Sequence, residues 1–244
     1  MDQFWDAVSG FSYAEYVFAA FALMIITLII QARLKSIYRR YSEDYNSQGM
    51  TGAEAARLIL EQYDIHDVEI QRISNELGDN YNPRTKVLSL SPAVHDGASV
   101  AAVGIAAHEV GHAIQHHRGY IPVKLRSALV PVANIGSRFS FIIIMIGLLI
   151  NSFANTNVGY YLALVGLAFF LFAVLFSLVT LPVEFNASNR AKKILSDTIA
   201  LDSDDLKGVK KVLGAAAMTY VASLASALLT LLRLLSIVAG SRRK

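Results

Sequence analysis

The chain is 244 residues long, 54% hydrophobic and only 17% charged, with a mean hydropathy of +0.44, which is too apolar for an ordinary soluble domain and makes a membrane protein the default. Its lack of cysteine excludes a disulfide scaffold and any thiolate metal site, so a metal here would have to be held by imidazole and carboxylate. The net charge of +3 comes from bases flanking apolar segments, which suits anionic lipid headgroups; no nucleic-acid motif is present.

Residues 1–12 carry Asp2 and Asp6 but no Lys or Arg, so they lack the basic start of a secretory signal peptide and read as the lead-in to an anchor. Tyr16 to Ile30 is almost continuously apolar and, with its flanks, reaches the roughly 20 residues that span hydrocarbon. Arg33, Lys35, Arg39 and Arg40 follow at once, and by the positive-inside rule they place the next stretch in the cytoplasm. Thr51 to Glu54 matches a capping box ahead of an apolar stripe at Ala55, Leu58 and Ile59, which predicts a soluble helix to about Tyr63. Val68 and Ile70 alternate, Gly78 to Pro83 is turn-rich, and Lys86 to Leu90 alternates again, which predicts two short strands.

Asp96, Gly97 and Ser99 supply helix-start signals, and Gly119 and Pro122 supply the stop. The helix between them carries HEVGH, His108 to His112, the HExxH pattern. Residues four apart share a helical face, so both imidazoles can chelate one ion with Glu109 beside it. A chain of this His and Glu content produces such a match by accident on the order of once in 200 sequences. Gly111, inside the motif, costs about 1 kcal/mol against Ala in a helix, which predicts a neighbouring backbone crossing there.

Leu129 to Ile150 is a second candidate span, with Arg138 able to snorkel. A base-free loop from Asn151 to Gly159 leads into a third span, Tyr160 to Leu181, which Pro182 is expected to end. Two crossings return the chain to the compartment it left, so Glu184 emerges on the same side as His108 and His112. Glu184 to Leu206 reads as a polar cytoplasmic helix. Val212 to Gly240 is the last apolar stretch. If it spans, Arg242, Arg243 and Lys244 land outside, against the positive-inside rule; if it turns back or lies against the enzyme, they stay inside. Arg233 within it favours partial burial against protein.

A catalytic zinc takes three protein ligands and leaves a fourth position to water. His108, His112 and Glu184 meet that requirement for one Zn2+ per chain, with Glu109 as general base and later proton donor to a leaving amine, a combination suited to peptide-bond hydrolysis. His116 and His117 invite confusion with a third ligand, but the metzincin pattern needs Gly and His where Gln115 and Arg118 stand, so both read as surface or supporting residues. His66 and His95 have no motif around them and read as structural. Tyr81, His95 and Arg190 are weak candidates for an oxyanion-stabilising group.

Four stretches together, Val103 to Gln115, LPVEFNASNRA from Leu181, TGAEAAR from Thr51 and YNPRTKVLSLS from Tyr81, resemble the YugP-like neutral zinc metallopeptidases, membrane-bound and distantly similar to the HtpX-type gluzincin proteases. The resemblance covers about Lys35 to Leu235. It implies zinc on His108, His112 and Glu184, with Glu109 as base, and a substrate-pairing strand at Val87, Leu88, Ser89 and Leu90. The chain departs from the family at Asn80, Asn82 and Asn186, where His, Asp and Asp are more frequent, and at Ser188, where many gluzincins place Asp. If those acids orient zinc-bound histidines, neutral replacements weaken the support of the metal.

The expected architecture is a mainly α integral membrane protein with a small α+β zincin-like catalytic domain and three to four membrane helices. Its parts are an anchor (1–34), a cytoplasmic catalytic part (35–127), a transmembrane hairpin (128–182), a helix with the third ligand (183–208) and a C-terminal apolar helix or helical hairpin (209–244). The expected activity is a membrane-anchored zinc endopeptidase acting on a peptide or membrane-protein substrate at the cytoplasmic face, with room for an oligomer or accessory membrane partner. Two alternatives stand beside it. One is a site-2-type intramembrane protease, suggested by the alanine-rich run 98–114 but lacking a Leu-Asp-Gly segment. The other is a non-catalytic zinc-binding scaffold or regulator, suggested by the Asn substitutions.

Overall fold

Capping and periodicity explain the soluble elements. In the computed structural model, which describes residues 12–76, 78–154 and 157–241, helix α2 (Gly52–Gln62) starts at a complete capping box. The Glu54 amide donates to Thr51 Oγ1 at 3.2 Å, and Glu54 Oε2 accepts from the Thr51 amide at 2.8 Å. It follows α1 (Tyr13–Glu43) and precedes β1 (Glu69–Arg72), β2 (Asn80–Asn82), β3 (Val87–Leu90), the short α3 (Pro92–His95) and α4 (Val100–His117). Three long helices complete the chain: α5 (Ile121–Phe153), α6 (Val158–Asp197) and α7 (Ser203–Ser241). Asp2, Asp6, Arg242, Arg243 and Lys244 lie outside the described residues.

The protein is mostly helical, and α1, α5, α6 and α7 are long and apolar enough to cross a membrane. Two expectations change and one open alternative is narrowed. Pro182 lies inside α6 rather than ending it, and Pro131 lies inside α5. A helix tolerates the lost N–H where packing holds the residues that follow; after Pro182, Val183, Glu184 and Ala187 are all buried. The third-ligand helix is therefore the end of α6, not a separate element over 183–208. The C-terminal stretch is one helix beginning at Ser203, so the turning-back alternative is excluded over the described residues. Finally, the turn-rich stretch at Asn80–Asn82 forms a strand, making three strands rather than two.

The sheet order is β1-β3-β2, with β1 parallel and β2 antiparallel to β3. Propensity alone disfavours Asn in strands, but a hairpin onto the alternating β3 outweighs it. Leu88 and Leu90 on β3 are fully buried, and they join Ile59 and Leu60 of α2, Val103, Val110 and Ile114 of α4, and Leu195 of α6 in one apolar core.

The chain divides into two compact units. One comprises residues 29–124 and 181–219 and holds this core and the sheet. The other comprises the described parts of 1–28, 125–180 and 220–244. There, small residues let helices approach closely: a Cβ on Gly147 would lie 2.5 Å from the Ala163 amide, and one on Gly166 2.9 Å from that of Ile144. Arg233 stacks its guanidinium over Tyr13 and Tyr16, 5.1 and 5.6 Å from their ring centres, which gives an otherwise costly charge a protein partner.

Candidate metal centre

Helix α4 begins where Ser99 Oγ accepts from the Ala102 amide at 3.1 Å and ends at Arg118, before Gly119 in the left-handed region at φ +64. The expected crossing at Gly111 is present. A Cβ there would lie 3.0 Å from the Ala187 carbonyl oxygen and 3.3 Å from its Cα, so only glycine admits the backbone of α6 without displacement. Ala187 is flanked on α6 by Glu184 and Ser188. The crossing thus delivers both side chains to the two histidines.

Glu184 Oε2 stands 3.2 Å from His108 Nε2 and 3.6 Å from His112 Nε2. The glutamate side chain is 3% exposed, the histidines 14% and 11%. The ligand atoms of all three lie within 4.8 Å of one another, and among the described residues they form the single group of three potential metal donors. Ligands about 2.0 to 2.2 Å from a tetrahedral ion are separated by about 3.4 Å, close to both observed distances, so the residues fit a zinc ion.

Both imidazoles are held by their other nitrogen. His108 Nδ1 is 3.1 Å from Ser188 Oγ, and His112 Nδ1 is 3.0 Å from Gln115 Oε1. Gln115 is wholly buried, and its Nε2 donates to the Val183 carbonyl at 2.9 Å and to Asn186 Oδ1 at 3.0 Å. Its oxygen must therefore face His112, which fixes Nδ1 as the protonated nitrogen and Nε2 as the free lone pair. Arg190 Nε also donates to Asn186 Oδ1, at 2.8 Å.

Glu109 lies beside the cluster, and its Oε2 accepts from the Tyr81 amide at 3.1 Å. Burial pushes its carboxyl above the ordinary range, partly opposed by the charges of His108 and His112. For His112, burial disfavours the charged ring, but the Glu184 carboxylate 3.6 Å away and the charge of Glu109 outweigh it, so its affinity for a proton is raised.

The remaining residues singled out from the sequence lie elsewhere. His116 packs against the Tyr81 ring, 5.9 Å between centres, and is not part of the cluster. His66 pairs with Asp64, and His95 with Asp96, each at 2.7 Å. Pairing of an extended substrate with Val87, Leu88, Ser89 and Leu90 is overturned: β3 is the central strand, with both edges taken by β1 and β2. The strand facing α4 from the sheet edge is β2, whose Tyr81 amide reaches Glu109. Sequence reasoning missed Gln115 as an orienting residue; its signal was a polar side chain three positions after His112, on the helical face that carries both histidines.

Over residues 16–239 the chain matches the family model described as "Putative neutral zinc metallopeptidase". It is 39% identical over 229 residues to "Putative membrane protease YugP" of Bacillus subtilis (strain 168), covering 93% of this chain and 98% of that relative. No solved structure matches.

Proposed function

The chain belongs to this family of neutral zinc metallopeptidases, and from that premise we propose that it is a membrane-anchored, zinc-dependent endopeptidase of gluzincin type whose site faces the cytoplasm. The observation that carries this reading is the convergence of Glu184 Oε2 on the Nε2 atoms of His108 and His112, while Ser188 and Gln115 occupy both Nδ1 atoms.

His108, His112 and Glu184 would hold the ion. Zinc would supply Lewis acidity, polarising a carbonyl and bringing the pKa of a water down to about 7. Glu109 takes the proton of the attacking water and returns it to the leaving amine, and its raised proton affinity suits a base working near neutral pH. The Tyr81 amide holds that carboxylate in place. An extended substrate segment lies along β2, the edge strand, rather than β3.

Helix α5 and the apolar part of α6 before Pro182 lie between His112 and Glu184 in the sequence, and two crossings would keep both on one side of the bilayer. The bases from Arg33 to Arg40 support the cytoplasm as that side by the positive-inside rule. Helix α4 is not among the candidate spans, which favours a site outside hydrocarbon over an intramembrane one. Ser188 reaches His108 directly and Asn186 reaches His112 through Gln115, so both neutral side chains support the metal ligands. The test is metal analysis and proteolysis of the purified full-length chain: about one zinc per chain and cleavage of an unfolded substrate are expected, and a metal-free or inert wild-type protein overturns the assignment.

A further inference from the structure

A groove distant in sequence from the metal centre combines cations with apolar surface. Helix α1 carries no charged residue from Tyr16 to Ala32, and α7 carries none from Val212 to Leu232. Both change character where they meet. Tyr41 of α1 packs on Gly208 of α7, where a Cβ would come 2.7 Å from its ring, and its hydroxyl is 3.2 Å from Lys211 Nζ. Beside this contact lies a cavity of about 430 Å³, lined by Arg33, Lys210 and Lys211 and by Ile29, Ile30 and Met218. Gly214 also borders it, and a Cβ there would meet nothing within 4 Å.

None of the three bases forms an ion pair among the described residues. Three cations gathered without an acid call for an anion, and the apolar wall on the charge-free side of them calls for hydrocarbon. Met218 and Ile29 are 45% and 60% exposed, too much large apolar surface to leave to water beside a charged cluster. Both demands are met by one molecule at the level where a membrane helix passes from acyl chains to headgroups.

We propose that the groove between α1 and α7 is a binding site for an anionic phospholipid, its phosphate held by Arg33, Lys210 and Lys211 and its acyl chain lying against Ile29, Ile30 and Met218. Lipid binding here ties the enzyme to negatively charged membrane surface independently of the metal centre.

The test uses the full-length protein in nanodiscs of phosphatidylcholine with a minority of phosphatidylglycerol, followed by mass spectrometry of the lipids retained on release. Wild type should retain phosphatidylglycerol preferentially. An Arg33→Gln/Lys210→Gln variant, which disturbs no pairing, should weaken retention about twenty-five-fold, from roughly fivefold per base. Gly214→Leu, which fills the groove without changing charge, should also expel the lipid. Lys35→Gln/Arg39→Gln removes two α1 bases outside the groove and should change retention little. Circular dichroism establishes that each variant is folded. Equal retention of neutral and anionic lipid, an equal loss in the Lys35/Arg39 control, or displacement by inorganic phosphate with no acyl-chain requirement would each overturn the proposal.

Discussion

The Ser188 hydroxyl stands 3.1 Å from Nδ1 of His108, one helical turn beyond Glu184, whose carboxylate stands 3.2 Å from Nε2 of the same ring. Residues four apart on α6 thus grip one imidazole from both sides, while residues four apart on α4 supply the two imidazoles. Each helix contributes an i, i+4 pair, and the pairs meet because Gly111 and Ala187 let the backbones touch.

If Ser188 and Gln115 orient the rings, removing either weakens the metal site without removing a ligand. Ser188→Ala and Gln115→Met should each lower zinc affinity by about 10 to 100-fold, read by competition with a chromophoric chelator. Unchanged affinity in both variants would show that the imidazoles need no such support.

Glu109→Gln keeps a side chain of the same shape but no basic oxygen. It should retain zinc at the wild-type level and lose about 10² to 10⁴-fold in kcat/KM on an unfolded protein substrate. A variant as active as wild type would move the base elsewhere.

The Tyr81 amide can be deleted while leaving the sheet intact, because it points to Glu109 and β2 is an edge strand. Tyr81→Pro should retain zinc and lower kcat more than it raises KM. A change confined to KM would mean that the amide serves substrate binding rather than the base.

Gly111→Val drives a branched side chain into the Ala187 backbone. Overpacking of this kind costs about 1 to 3 kcal/mol, so melting temperature should fall, and zinc should be lost as α6 is pushed back. A melting temperature and zinc content equal to wild type would show that the crossing has slack.

The raised proton affinity of His112 gives the metal-free and zinc-bound proteins opposite pH dependences. Without metal, protonated His112 contributes stability that is fully present below the ordinary His value of about 6.5 and is lost as pH rises through its higher folded-state pKa. Zinc requires the neutral ring, so its stabilisation should grow over the same interval. Melting curves from pH 5.5 to 8.5, with zinc and with a chelator, should diverge as pH rises; parallel curves would contradict the assignment of His112 as a ligand.

What could be read from the sequence alone was local. The HExxH pair, the capping box at Thr51, the helix stop at Gly119 and the apolar runs each follow from residues within a few positions of one another, because helical hydrogen bonds and side-chain neighbours recur every three to four residues. Glu184 was legible one step further, since counting apolar runs returns the chain to its starting side. Other features are set between residues far apart in the chain. Gln115 finds Val183 and Asn186, His108 finds Ser188, and Asn80–Asn82 becomes a strand only by pairing with β3. The same holds for Pro182, whose local signal ends a helix but whose neighbours are buried firmly enough to carry α6 through it. Periodicity records which face of an element is apolar; only packing decides which partner that face meets.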